Sequence, residues 1–302
     1  MVLSCDFHLH SAFSADSEAP MEKQVQAALK AGLSAICFTE HIDLDWPYEN
    51  TPKEELSSPF TVDMASYEKE LLRLRDRYGD RIRIGMGIEL GLAKGYEEAA
   101  EDFVRAHDEL DFVIGSVHSL DHKDPYFADF FSGFSPRERI AAYLSHTWEL
   151  VERCSFFQSL GHLDYILRYA IRQEDPEFLS YLASHGTSYG SFCFSQNQHA
   201  IEKILSILIK RGQALEVNTQ AIAKASAADP ADPAVFRETN PGRDTLLLYH
   251  ALGGKLVTTG SDAHVPEGVG KGFPEAAKLL ASCGFPTTFR YEHREPVAVP
   301  LR

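Results

Sequence analysis

The chain has 302 residues, 44% of them hydrophobic, with 44 acids against 29 bases and a formal charge of −15. This suffices for a sizeable core in one large α/β domain or two modest ones. It lacks the Lys/Arg run of a nucleic-acid binder and any apolar stretch that spans a bilayer.

In chain order, short apolar runs alternate with amphipathic stretches. The predicted strands are 5–9, 34–39, 82–90, 111–118, 156–163, 214–219 and 255–262. Between them, Met21, Val25, Ala28 and Leu29 share a helical face that Gly32 ends, and Met64, Tyr67, Leu71, Leu74 and Tyr78 form a second stripe closed by a glycine. Ser135, Pro136 and Glu138 open another helix with a capping box. Seven strand–helix alternations imply parallel strands with crossover helices, and near-continuous apolar strands fit a sheet buried on both faces. The five cysteines (Cys5, Cys37, Cys154, Cys193 and Cys283) are scattered, with no C-x-x-C pair, and read as reduced core residues. With no apolar leader-like run ahead of Cys5, a cytoplasmic protein is expected.

The ionisable residues gather at corresponding places. His8 and His10 end the first strand, on the same face about 7 Å apart by regular alternation. His41 follows the second, Glu89 ends the third, His118 the fourth and His162 the fifth; Glu216 and Asn218 end the sixth, Asp262 and His264 the seventh. An open sheet would spread these across a wide row, whereas an α/β barrel gathers its C-terminal strand ends at one mouth, so a barrel is expected with a metal site there. Histidines and carboxylates without cysteine suit zinc, manganese or iron, and six histidines with at least two carboxylates exceed the needs of one ion. Two or three divalent ions are therefore expected, with Glu89 able to bridge a pair. Burying such a set without metal would leave several polar groups unpaired at a few kcal/mol each.

Five segments, "DFHLHS", "FTEH", "GIELG", "GSVH" and "GSDAH", resemble the polymerase-and-histidinol-phosphatase (PHP) family, and "GHLDYILRY", "LEVNT" and "GSDAHVPEGVGKGF" resemble its histidinol-phosphatase branch. The resemblance implies a distorted (β/α)7 barrel holding a trinuclear centre, read here as a single domain over residues 1–302. It places His8, His10, Glu89 and Asp262 on one ion, Glu89, His118 and His162 on a second, and Asp16, His41 and His264 on a third; Asp16 could equally cap a helix, and Glu40 would support a ligand. The implied reaction is hydrolysis of L-histidinol phosphate in histidine biosynthesis, a metal-bridging hydroxide attacking phosphorus in line, with Glu89, Asp262 and His264 acting through it. Arg168 would fork onto the phosphoryl oxygens, with Lys224 as a second candidate. Glu216 would face the substrate ammonium, Phe192, Phe194 and Asn197 would contact its imidazole, and loop 45–60 would form a lid. The expected partner is a small phosphate ester, with no nucleic acid or membrane and the oligomeric state open. The alternatives are a PHP phosphoesterase acting on a nucleotide or other small ester, an amidohydrolase-type amide or lactone hydrolase, and a non-catalytic metal-binding scaffold.

Overall fold

The computed structural model describes residues 2–54 and 60–301. Seven parallel strands pair in chain order: β1 (Cys5–Leu9), β2 (Ala35–Ile42), β3 (Arg83–Gly91), β4 (Phe112–Ser116), β5 (Ser159–Leu160), β6 (Ala214–Asn218) and β7 (Val257–Gly260). Helices α1 (Met21–Lys30), α2 (Met64–Tyr78), α3 (Glu97–Ala106), α4 (Pro136–Arg153), α5 (Leu167–Ala170), α6 (Pro176–Ser184), α7 (Tyr189–Arg211), α8 (Gln220–Ala225), α9 (Arg243–Ala251) and α10 (Phe273–Ser282) lie in the connections and after β7. Gly32 (φ 76°) ends α1 in the left-handed conformation, and Ser135 and Glu138 complete the predicted capping box on α4. Asp16 caps no helix: α1 begins after Pro20.

The sheet curls into a nearly closed barrel. Its first and last strands meet through a parallel bridge between Leu9 and Ala263, with Asp262 N–H donating to His8 O at 2.8 Å and His10 N–H to Ala263 O at 3.1 Å. The distortion is local. β5 has two paired residues where eight were predicted, although Gln158 N–H and Gly161 N–H extend its bonding to β4. β2 runs three residues beyond its predicted end and so includes His41.

Strand alternation divides the barrel interior by height. Cys5, Phe7, Cys37, Phe112, Ile114 and Ala214 form a small apolar plug at the N-terminal ends. The following inward positions carry Thr39 and His41 on β2, Glu89 on β3, Ser116 on β4, and Glu216 and Asn218 on β6. Outward residues such as Ile36, Phe38, Ile88, Val113 and Leu215 pack in the large core beneath the helices. In β1 the register slips between Asp6 and Leu9, a bulge that lets Phe7 join the plug and His8 still point inward. An antiparallel hairpin that the sequence reading did not include, β8 (Thr287–Glu292) and β9 (Glu295–Pro300), covers the plug, Tyr291 stacking on Phe112 at 5.0 Å.

Candidate metal centre

The upper interior of the barrel is filled by the predicted ligand residues. Glu89 is their hub. Its Oε2 lies 3.0 Å from His8 Nε2, 3.4 Å from His10 Nε2 and 3.2 Å from His41 Nδ1, while Oε1 lies 3.1 Å from His118 Nε2 and 2.8 Å from His162 Nε2. Asp262 Oδ1 stands 3.5 Å from His10 Nε2 and 3.9 Å from His8 Nε2. On the outer side, Asp16 Oδ2 is 3.0 Å from His264 Nε2 and 3.5 Å from His41 Nε2. All nine expected ligands thus converge on one end of the barrel.

Four of the imidazoles are oriented from behind. His8 Nδ1 donates to Glu216 Oε1 at 2.6 Å, His118 Nδ1 to Asp43 Oδ1 at 2.9 Å, and His264 Nδ1 to Asp262 O at 3.0 Å. His10 Nδ1 donates to Ser14 Oγ at 3.1 Å, and that hydroxyl in turn donates to Glu40 Oε2. Each acceptor fixes the tautomer that leaves Nε2 with a free lone pair facing the centre, which is how proteins prepare histidine for a metal. His8 Nε2, His10 Nε2, His41 Nδ1 and Glu89 Oε2 are buried, crowd one point and make no hydrogen bond there. Nitrogens and oxygens so arranged fit divalent ions; triads such as His8–His10–Asp262, His8–Glu89–His162 and His10–His41–His264 offer ligand atoms within 4.8 Å of one another.

The electrostatics agree. Burial would raise Glu89, but the charges of His8, His118 and His41 outweigh it and hold the carboxyl well below the usual range. Burial would lower His8, yet Glu89, Glu216 and Asp262 hold it well above its ordinary value. The carboxylates therefore favour positive charge at the centre, which metal ions supply. Asp262 adds strained backbone, φ 53°, held by bonds from its N–H to His8 and from Gln220 Nε2 to its carbonyl. Gly260 leaves the room: a Cβ there would stand 2.2 Å from His8 Cβ and 2.5 Å from Glu216 Oε1.

Above the centre lies a cavity of about 730 Å³, within the range of small-molecule sites. Several expectations are corrected here. Glu216 does not line it; the carboxylate sits behind His8 and accepts the His162 N–H, because its strand position is one layer deeper than the mouth. Phe192, Phe194 and Asn197 are also absent from its wall: they ride on α7, where Phe192 packs on Phe178 and Asn197 caps a carbonyl of its own helix. Arg168 lines the cavity, but its guanidinium is engaged by Asn240, Gln220, Asn218 and Asp262, so it anchors Asp262 instead of presenting a free fork. Lys224 also lines it and gives one hydrogen bond, to Gln220 Oε1 at 2.8 Å. Of the expected lid, Trp46, Tyr48, Glu54 and Phe60 form a wall; 55–59 lie outside the described residues.

Sequence reasoning missed Asp43, Ser14 and the aromatic wall of Tyr126, Tyr165 and Tyr169. Asp43 had a legible signal, lying two residues beyond His41 on the same strand parity. Tyr165 and Tyr169 lie within the segment "GHLDYILRY", but their convergence with Tyr126 had no signal, since it depends on how the segments after β4 and β5 fold.

A barrel with this mouth defines a class of metal-dependent hydrolase, and the PHP domain model matches residues 6–220. The chain belongs to the PHP family. It is 30% identical to the histidinol-phosphatase of Lactococcus lactis over 93% of this chain and 91% of that protein. It is 28% identical to a probable histidinol-phosphatase of Clostridium acetobutylicum, over 94% and 95% of the two chains. Among solved structures, the Lactococcus lactis histidinol phosphate phosphatase with zinc, L-histidinol and phosphate superposes with a TM-score of 0.78 at 28% identity, covering 97% of this chain and 98% of that one. No described helix is long and apolar enough to cross a membrane.

Proposed function

We propose that this protein is a metal-dependent phosphomonoesterase that hydrolyses L-histidinol phosphate to L-histidinol and phosphate, acting as one domain over residues 1–302. The observation that carries the reading is Glu89, whose two oxygens meet five imidazoles within 3.4 Å; the likeness to histidinol-phosphatases over nearly the whole chain supports the substrate.

His8, His10, Glu89 and Asp262 would hold one divalent ion, Glu89, His118 and His162 a second, and Asp16, His41 and His264 a third. When bound, such ions lower the pKa of water and neutralise phosphoryl charge, the main need of a reaction whose uncatalysed rate is very low. The chain's own residues prepare and orient. Glu216, Asp43 and Ser14 hold imidazoles in register, and Arg168 fixes Asp262 while adding positive charge beside it. The Lys224 ammonium keeps two N–H donors after bonding Gln220, and these meet the phosphoryl oxygens.

A phosphate-release screen of metal-replete protein tests this, comparing L-histidinol phosphate with nucleotides, sugar phosphates and a phosphodiester. The highest kcat/KM is expected on L-histidinol phosphate. A preference for a nucleotide would replace the substrate and leave the metal chemistry standing.

A further inference from the structure

With Phe192 and Phe194 turned into α7 packing, the imidazole of histidinol phosphate needs another partner. The flank of the mouth built by the loops after β2 and β4 supplies one. Asp124 lines the cavity there, and Lys224 lines it from α8, which follows β6. Its Oδ1 accepts the Tyr126 N–H at 2.8 Å and lies 3.5 Å from the Tyr165 hydroxyl; its Oδ2 takes no hydrogen bond among the described residues. Asn50 clamps its backbone from both sides, accepting the Asp124 N–H at 3.0 Å and donating to Asp124 O at 3.1 Å. The carboxylate is therefore held in place yet half-used.

Its surroundings are aromatic. Tyr169 packs against Tyr126 at 5.8 Å and Tyr165 at 5.1 Å, and Tyr165 also packs against His162 at 5.1 Å and His118 at 5.9 Å. One tyrosine side chain thus spans the gap between the histidine cluster and Asp124. In histidinol phosphate the ammonium sits on the carbon next to the ester methylene, and the ring lies a methylene farther out. With the phosphoryl group over the cluster, the more distant group reaches Asp124. Asp124 is half-buried, and its burial pushes the carboxyl up to about 7.

We propose that Asp124 accepts the imidazole N–H of L-histidinol phosphate, with the ring lying among Tyr126, Tyr165 and Tyr169, and so selects the histidinol side chain. This rests on the substrate reading above. A site built to hydrogen-bond one group discriminates against analogues lacking it, because its own polar atom is then left unpaired.

The test compares metal-loaded wild type with Asp124→Asn, which keeps an acceptor for the Tyr126 N–H but places an amide donor where Oδ2 was. Kinetics are measured on L-histidinol phosphate and on O-phosphoethanolamine, which has the ammonium and no ring, and L-histidinol binding is followed by calorimetry. The ratio of kcat/KM between the two substrates should fall roughly tenfold or more, and L-histidinol should bind weaker by a similar factor. An equal fall on both substrates, or unaltered L-histidinol affinity, overturns the role of Asp124. Wild type without a preference for L-histidinol phosphate would instead overturn the substrate reading, and this proposal with it.

Discussion

Glu89 sits on an inward position of β3 that follows two inward glycines, Gly85 and Gly87, where a Cβ would stand 2.9 Å from Cys37 Sγ, so the plug below packs tightly and the carboxylate lies in the layer above it. Five imidazoles then compete for two oxygens, an arrangement that shared cations satisfy better than protons do. Glu89→Gln should lower turnover by at least roughly 10²–10³-fold and reduce the bound metal; elemental analysis and kinetics check it together, and near-normal rates with full metal would refute the bridging role. Glu216 acts one step away, holding the His8 tautomer. Glu216→Gln should weaken metal binding by roughly 10–100-fold with secondary structure intact, measured by competition with a coloured chelator. The sequence made the candidate ligands legible because their chemistry is written in residue type and strand position. It misdirected Glu216, since alternation gives the face of a residue and not its depth.

At the level of elements, β1 shows how local irregularity serves the site. Regular alternation would place Phe7 and His8 on opposite faces, and the bulge puts both inside, one in the apolar plug and one in the metal layer. Hydrophobic pattern located the seven strands, but the shortness of β5 and the extension of β2 came from pairing with neighbours that the sequence does not display. Helices α5 and α8 bring Arg168, Gln220 and Lys224 to the cavity, whereas α4 contributes support outside it. The Ser135–Glu138 capping box on α4 satisfies N-terminal amides with residues that do not line the cavity, so Ser135→Ala should cost about 1 kcal/mol of stability with kcat unaffected, read from denaturant unfolding and steady-state rates. A loss of activity greater than the loss of folded protein would contradict that separation.

For the whole molecule, the barrel concentrates negative carboxylates and orphaned imidazole lone pairs at one end and an apolar plug at the other. The upper layer is consequently short of positive charge until ions enter, and ions bound only by the folded state stabilise it by mass action. Removing metal with a chelator should lower the melting temperature by about 5 °C or more, with recovery on adding zinc; an unchanged transition would mean that the site does not hold ions in the folded protein. The sequence by itself determined the strand–helix alternation, the ligand types and the end of the barrel where they meet, because periodicity and donor chemistry are local properties of the chain. The tertiary structure alone decided which groups stand behind the ligands and which face the cavity. It turned Glu216 inward and Phe192 away, and brought Asp43, Asp124 and three tyrosines to the mouth. Those placements depend on barrel closure and on the packing of long loops, where residues distant in the chain fix one another's positions and no periodic pattern records the outcome.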